Sequence, residues 1–117
     1  MIEKTWEMPD GIYTALVTPF AGEQVDKNAW RTLVQRQIDA KVAGIVPVGC
    51  TGEAGVLTKQ EREWMVRTAV EMCAGKCAVV AGSGSNSTAL TVELTALVKE
   101  WGADAAMLIS PYYNKPQ

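Results

Sequence analysis

The stretch that decides the fold runs from residue 44 to residue 82. It opens Gly44-Ile45-Val46-Pro47-Val48-Gly49-Cys50-Thr51-Gly52-Glu53, continues through Thr58-Lys59-Gln60-Glu61 to Gly75, and closes on Ala78-Val79-Val80-Ala81-Gly82. The two outer segments are continuous apolar runs, the pattern of strands covered on both faces. Between them, Met65, Val66, Ala69 and Val70 recur at helical spacing and supply one buried face. Thr58 and Glu61 have the spacing of a capping box, in which each side chain satisfies a free amide of the first turn. Gly75 is the expected stop, since glycine accepts the left-handed backbone that ends many helices. The whole reads as one β-α-β unit.

The pattern repeats outward at roughly thirty residues per unit, the share that a barrel of about 250 residues gives to each of eight units. Further apolar runs lie at Ile12 to Val17 and Ala105 to Ile109. A first helix is expected from an N-cap at Asp26, with Trp30, Leu33, Val34 and Ile38 on one face and Gly44 beyond its end. Another begins near Ser87, places Leu90, Leu94, Leu97, Val98 and Trp101 on one stripe, and stops at Gly102. The order is β-α-β-α-β-α-β, an α/β arrangement whose short right-handed links imply a parallel sheet. A (β/α)8 TIM barrel and an open doubly wound sheet both use such units, and periodicity does not decide between them. On the barrel reading, residues 1–117 form an incomplete domain with the first four strands and three helices. Pro47 counts against a regular central strand, because it has no amide to donate.

Composition excludes several classes of function. A chain of 117 residues, 48% hydrophobic, with net charge −2, suits one soluble unit and offers no basic surface to nucleic acid or to an anionic membrane. No apolar run approaches the ~20 residues that span a bilayer. The N-terminal Met1-Ile2-Glu3-Lys4-Thr5-Trp6-Glu7 carries acids where a secretory leader has a basic region, so a cytoplasmic location is expected. Cys73 and Cys77 lack zinc or thioredoxin spacing, and the chain has no histidine. They are expected to be small buried hydrophobes, with no metal site.

In both architectures the functional loops leave the C-terminal ends of strands. Those positions hold Thr18-Pro19-Phe20, Gly49-Cys50-Thr51-Gly52-Glu53, Gly82-Ser83-Gly84-Ser85-Asn86-Ser87 and Pro111-Tyr112-Tyr113-Asn114-Lys115, whereas the opposite links are plain. The bend at Gly49, Thr51 and Gly52 is suited to hold a carboxylate on backbone N–H groups and a hydroxyl. A strand-to-loop turn without a ligand stands equally open. Residues 82–87 lack the lysine of a phosphate loop and the spacing of a dinucleotide fingerprint, so a tight turn capped by Asn86 or Ser87 is expected. Tyr112 and Tyr113 suit either packing, including against a partner subunit, or a proton relay, and their residue type favours packing.

Taken together, Thr14-Ala15-Leu16-Val17-Thr18-Pro19-Phe20, Val48-Gly49-Cys50-Thr51-Gly52-Glu53, Ala81-Gly82-Ser83-Gly84-Ser85-Asn86-Ser87-Thr88 and Pro111-Tyr112-Tyr113-Asn114-Lys115-Pro116 resemble the dihydrodipicolinate synthase family, over nearly the whole chain and in register. The last segment favours that family over cousins such as N-acetylneuraminate lyase. The resemblance implies the N-terminal half of a (β/α)8 barrel, homotetrameric in the parent. It implies a class I lyase that condenses pyruvate with aspartate semialdehyde in lysine biosynthesis. No cofactor is implied, since a lysine in the sixth strand forms an imine with pyruvate. By position, Thr51, with Gly49 and Gly52, would bind the pyruvate carboxylate. Tyr113 would be a relay tyrosine reaching a neighbouring subunit, Tyr112 would pack at the dimer interface, and Cys50 would stand where the family has a relay threonine.

Three departures accompany the resemblance. A thiol at Cys50 is a weaker donor and acceptor than a hydroxyl. Asn86 and Tyr112 match the effector cleft of lysine-inhibited members, but Leu90 replaces a glutamate there, and Lys59 and Arg62 stand where histidine is common. Weak lysine feedback is therefore expected. The sequence also stops at Gln117, before the imine-forming lysine, and among the lysines present only Lys115 lies on the functional rim. A catalytically silent half-barrel that self-associates is the alternative for the chain alone. An unrelated open-sheet binding domain would have to reproduce all four motifs.

Overall fold

A computed structural model describes residues 7–114. Lys4, Lys115 and Pro116, which enter the reading above, lie outside the described residues. The elements in chain order are β1 (Tyr13–Ala15), β2 (Phe20–Ala21), β3 (Gln24–Val25), α1 (Lys27–Asp39), β4 (Gly44–Val46), a 3-10 turn (Ala54–Val56), α2 (Lys59–Cys73), β5 (Ala78–Gly82), α3 (Thr88–Glu100) and β6 (Ala105–Met107). Four of the strands form a parallel sheet in the order β1-β4-β5-β6, with Thr14 opposite Ile45, Ile45 opposite Val79, and Ala81 opposite Ala106. The order follows the chain without reversal. A doubly wound sheet needs a point where the order turns back, and this one has none. The strands advance as barrel strands do, with all three crossover helices on one face.

The helix boundaries follow local chemistry. Asp26 accepts from the amide of Ala29 at 3.0 Å. At α2 the capping box is complete: Glu61 N–H donates to Thr58 Oγ1 at 3.1 Å, and Thr58 N–H donates to Glu61 Oε1 at 2.8 Å. Ser87 caps α3 by accepting from Leu90 N–H at 3.3 Å. The α2 stop comes one residue earlier than expected, at Ala74 (φ 46°), with Gly75 left-handed behind it. α3 ends as expected before Gly102, whose positive φ of 98° carries the chain into β6.

The core lies between the sheet and the helices. Trp30, Val34, Ile45, Met65, Val66, Ala69 and Val79 are buried there, with Leu94 and Val98 beneath α3. The indole N–H of Trp30 donates to the Met65 carbonyl at 3.2 Å, so this large ring is buried without an orphaned donor. Cys73 and Cys77 are buried as expected, their sulfurs 2.9 Å apart, while Cys50 is exposed.

Three strands are shorter than their apolar runs, and each has a cause. β4 ends at Val46 because Pro47 supplies no amide and Val48 turns to φ 50°. β1 and β6 border the sheet with one neighbour each, and the flanking Ile12, Val17, Leu108 and Ile109 lie outside the paired residues and stand exposed. The two-residue hairpin β2–β3, turning through Gly22, was not expected; its strands are too short to show alternation. Among the described residues, no helix is long and apolar enough to cross a membrane.

Candidate active site

The loop after β4 is built by backbone strain and close packing. Val48 is buried and left-handed at φ 50°, a conformation that costs a β-branched residue about 1–3 kcal/mol. Glu53 is also left-handed at φ 56°. The turn between them is closed by Glu53 N–H to Cys50 O at 3.0 Å and Ala54 N–H to Gly49 O at 3.3 Å. From the loop after β1, the buried Thr18 hydroxyl donates to Gly52 O at 2.6 Å and fixes the far side. Among the described residues, the amides of Thr51 and Gly52 donate to no acceptor. The result is a rigid bend with two unused donors beside a hydroxyl, the composition of an anion-binding concavity.

Glycines at this rim serve mainly close approach. A Cβ on Gly82 would stand 2.2 Å from the Val48 carbonyl oxygen, and one on Gly84 would stand 2.6 Å from Ile109. Ser83 pairs with Thr95 at 2.8 Å, while the Ser85 amide and hydroxyl bond to Thr91 and Ser87. These serine groups are spent on internal bonds, which fits the expected capped turn. Ser87 is the capping residue.

A cavity of about 500 Å³ opens beside the bend, lined by residues that include Gly49, Cys50, Glu53, Arg62, Met107 and Tyr112. The structure therefore brings Gly49, Cys50 and Tyr112 together. Thr51, Gly52 and Tyr113 do not line this cavity. Tyr112 is half exposed, and Tyr113 is 99% exposed in a left-handed conformation (φ 68°), so it packs against nothing among the described residues.

Arg62 is the residue of this cavity that sequence reasoning underused. Its side chain is buried, donates through Nη2 to the Ala54 carbonyl and leaves Nη1 without a partner. Burial lowers its pKa from the ordinary guanidinium value, partly opposed by Tyr112. The signal was available, since Arg62 falls on the same helical stripe as Met65, Val66 and Ala69, where a charge is out of place. Thr18 was placed on the rim by the sequence but without a role, because that role depends on a contact 34 residues away in the chain. Lys59 points elsewhere and pairs on the surface with Glu93.

Comparison with known proteins agrees with this geometry. Residues 8–117 match the family model described as the dihydrodipicolinate synthetase family. The 4-hydroxy-tetrahydrodipicolinate synthase of Nitratidesulfovibrio vulgaris strain Miyazaki F is 51% identical over 106 residues, covering 91% of this chain and 36% of the relative. The solved 4-hydroxy-tetrahydrodipicolinate synthase from Methylacidiphilum fumariolicum SolV superposes with a TM-score of 0.87 at 42% identity, covering 92% of this chain and 36% of that one. The dihydrodipicolinate synthase from Thermotoga maritima gives a TM-score of 0.91 at 36% identity, covering 95% and 38%. The chain thus spans little more than a third of the length of the relatives it matches. With its strand order, its rim loops and these matches in agreement, the chain belongs to the dihydrodipicolinate synthetase family and forms the N-terminal part of that family's barrel.

Proposed function

We propose that this chain is the N-terminal part of a cytoplasmic lyase that condenses pyruvate with a small aldehyde, aspartate semialdehyde, in lysine biosynthesis. The observation that carries the reading is the pair of unused amides at Thr51 and Gly52, beside the Thr51 hydroxyl on a strained bend. Such a bend suits a planar carboxylate, and Gly49 and Gly52 let the backbone approach it. Fixing that carboxylate aims the keto carbon at an amine. The amine displaces the keto oxygen as water and forms a protonated imine, which stabilises the enamine that attacks the aldehyde. No cofactor is required.

The amine belongs to the part of the barrel that this sequence does not include. Lys27, Lys41, Lys59, Lys76 and Lys99 are all exposed, and none has the dry setting that activates an amine. Cys50 would stand in the proton relay, with Tyr113 contributed across a subunit boundary in a homotetramer. The exposure and left-handed backbone of Tyr113 support that role. Tyr112 would lie at the same interface. Neither nucleic acid nor membrane is a partner in this reading.

The test is borohydride trapping on a full-length barrel of this family that begins with this chain. Pyruvate plus borohydride should add one pyruvyl group to the intact mass, and Thr51→Val should raise the pyruvate concentration needed for trapping at least tenfold. Absence of the adduct, or Thr51→Val trapping as readily as the parent, would overturn the assignment.

A further inference from the structure

Cys73 and Cys77 are two thiols that the proposed reaction does not use. Cys73 is the last residue of α2, and Cys77 stands immediately before β5, at the end of the sheet opposite the Gly49–Glu53 bend. The chain reverses between them through two left-handed residues, Ala74 (φ 46°) and Gly75 (φ 81°), and Lys76 N–H closes the turn on Cys73 O at 2.7 Å. That reversal buries both side chains and brings their sulfurs to 2.9 Å. Ala74, Gly75 and Lys76 are exposed by contrast, and a Cβ on Gly75 would meet nothing within 4 Å. The tether can therefore adjust without disturbing the core. A disulfide holds its sulfurs about 2.05 Å apart, so joining this pair asks for small side-chain rotations and no refolding of the turn. A cavity of about 440 Å³ at this end reaches Cys77, with Lys41, Gly75, Lys76 and Asp104 in its wall; Cys73 is not part of that wall.

The geometry points to Cys73 and Cys77 as a reversible oxidation site, at which a peroxide converts the thiol pair into an intrachain disulfide. Cys77, the thiol that the cavity reaches, reacts first. Its sulfur attacks the peroxide: an S–O bond forms, the O–O bond breaks, and the released hydroxide takes the Cys77 proton and leaves as water. The Cys73 sulfur then attacks the Cys77 sulfur. The S–S bond forms, the S–O bond breaks, and the departing hydroxide carries off the Cys73 proton as a second water. Two electrons pass from the pair of sulfurs to the peroxide. Burial and the thiol hydrogen bond keep Cys73 protonated, which suits it to the second step and not the first. A partner sulfur already in contact captures the sulfenic acid before more oxygen adds, so a dithiol can undo the change. In a reducing compartment the pair stands as thiols, and the bond is a transient response to oxidant. Cys50 is exposed at the other end of the sheet and forms no part of the site.

Peptide mapping tests this without any substitution. Trypsin cleaves after Lys76 and so separates the pair, leaving Cys73 on residues 68–76 and Cys77 on residues 77–99. A folded full-length barrel that begins with this chain is treated with hydrogen peroxide, its remaining thiols are blocked, and it is digested without reductant. The two peptides should appear linked, with the loss of two hydrogens, and dithiothreitol added before blocking should return both as thiols. The rate of linkage should stay flat in sub-denaturing urea, because the sulfurs meet in the folded state. Free thiols at both positions after peroxide, a sulfinic acid at either, linkage to Cys50, or a rate that climbs with urea as global unfolding does overturns the inference.

Discussion

Cys50 and Cys73 show how one side chain takes opposite roles from its setting. Cys50 is exposed on the rim and lines the cavity, where the proposed relay would pass a proton. Its thiol is a weak partner for that task, so Cys50→Thr in the full-length protein should keep or raise turnover; a large loss in measured kcat would show that sulfur has a role of its own. Cys73 is buried, and burial, the thiol hydrogen bond with Cys77 and the nearby Asp104 push its pKa well above the ordinary thiol value. The folded state then keeps a proton that the unfolded chain releases. Stability from this group is intact below about pH 9 and falls as pH rises beyond it, by at most about 1.4 kcal/mol per pH unit. Urea unfolding from pH 8 to 10 should show this alkaline loss, and Cys73→Ala should flatten it; an equal slope in the variant would assign the loss to other groups.

At the scale of elements, what was legible in the sequence was what neighbours in the chain decide. Asp26, Thr58 and Ser87 cap their helices through amides within three residues, so their roles could be read directly. Thr58→Ala should cost about 1 kcal/mol, seen as a lower urea midpoint at unchanged slope, and Thr58→Ser should restore most of it. No change in the midpoint would mean that water replaces the cap freely. Strand ends were less legible. The apolar run continues to Val48, but Pro47 and the left-handed Val48 end β4 two residues earlier. Ile109 has the residue type of a strand but lies beyond the end of β6 and stands exposed.

At the scale of the whole molecule, the exposure of the described lysines bears on activity. The chain by itself should show no mass increase after pyruvate and borohydride, because no amine within the described residues is desolvated beside the Gly49–Gly52 bend; an adduct would locate a working lysine in this part of the barrel. The sequence alone determined the β-α-β repeat, the gathering of Gly49 to Glu53 and Tyr112 to Tyr113 at strand ends, and the family, since spacing and local capping are properties of neighbouring residues. Tertiary structure decided the rest. The unreversed strand order separated a barrel from a doubly wound sheet, Thr18 reached Gly52 across the rim, and Arg62 was carried by its helix face into the cavity wall. Each of these depends on distances between segments that are far apart in the chain, and a pattern read along one dimension contains no such distances.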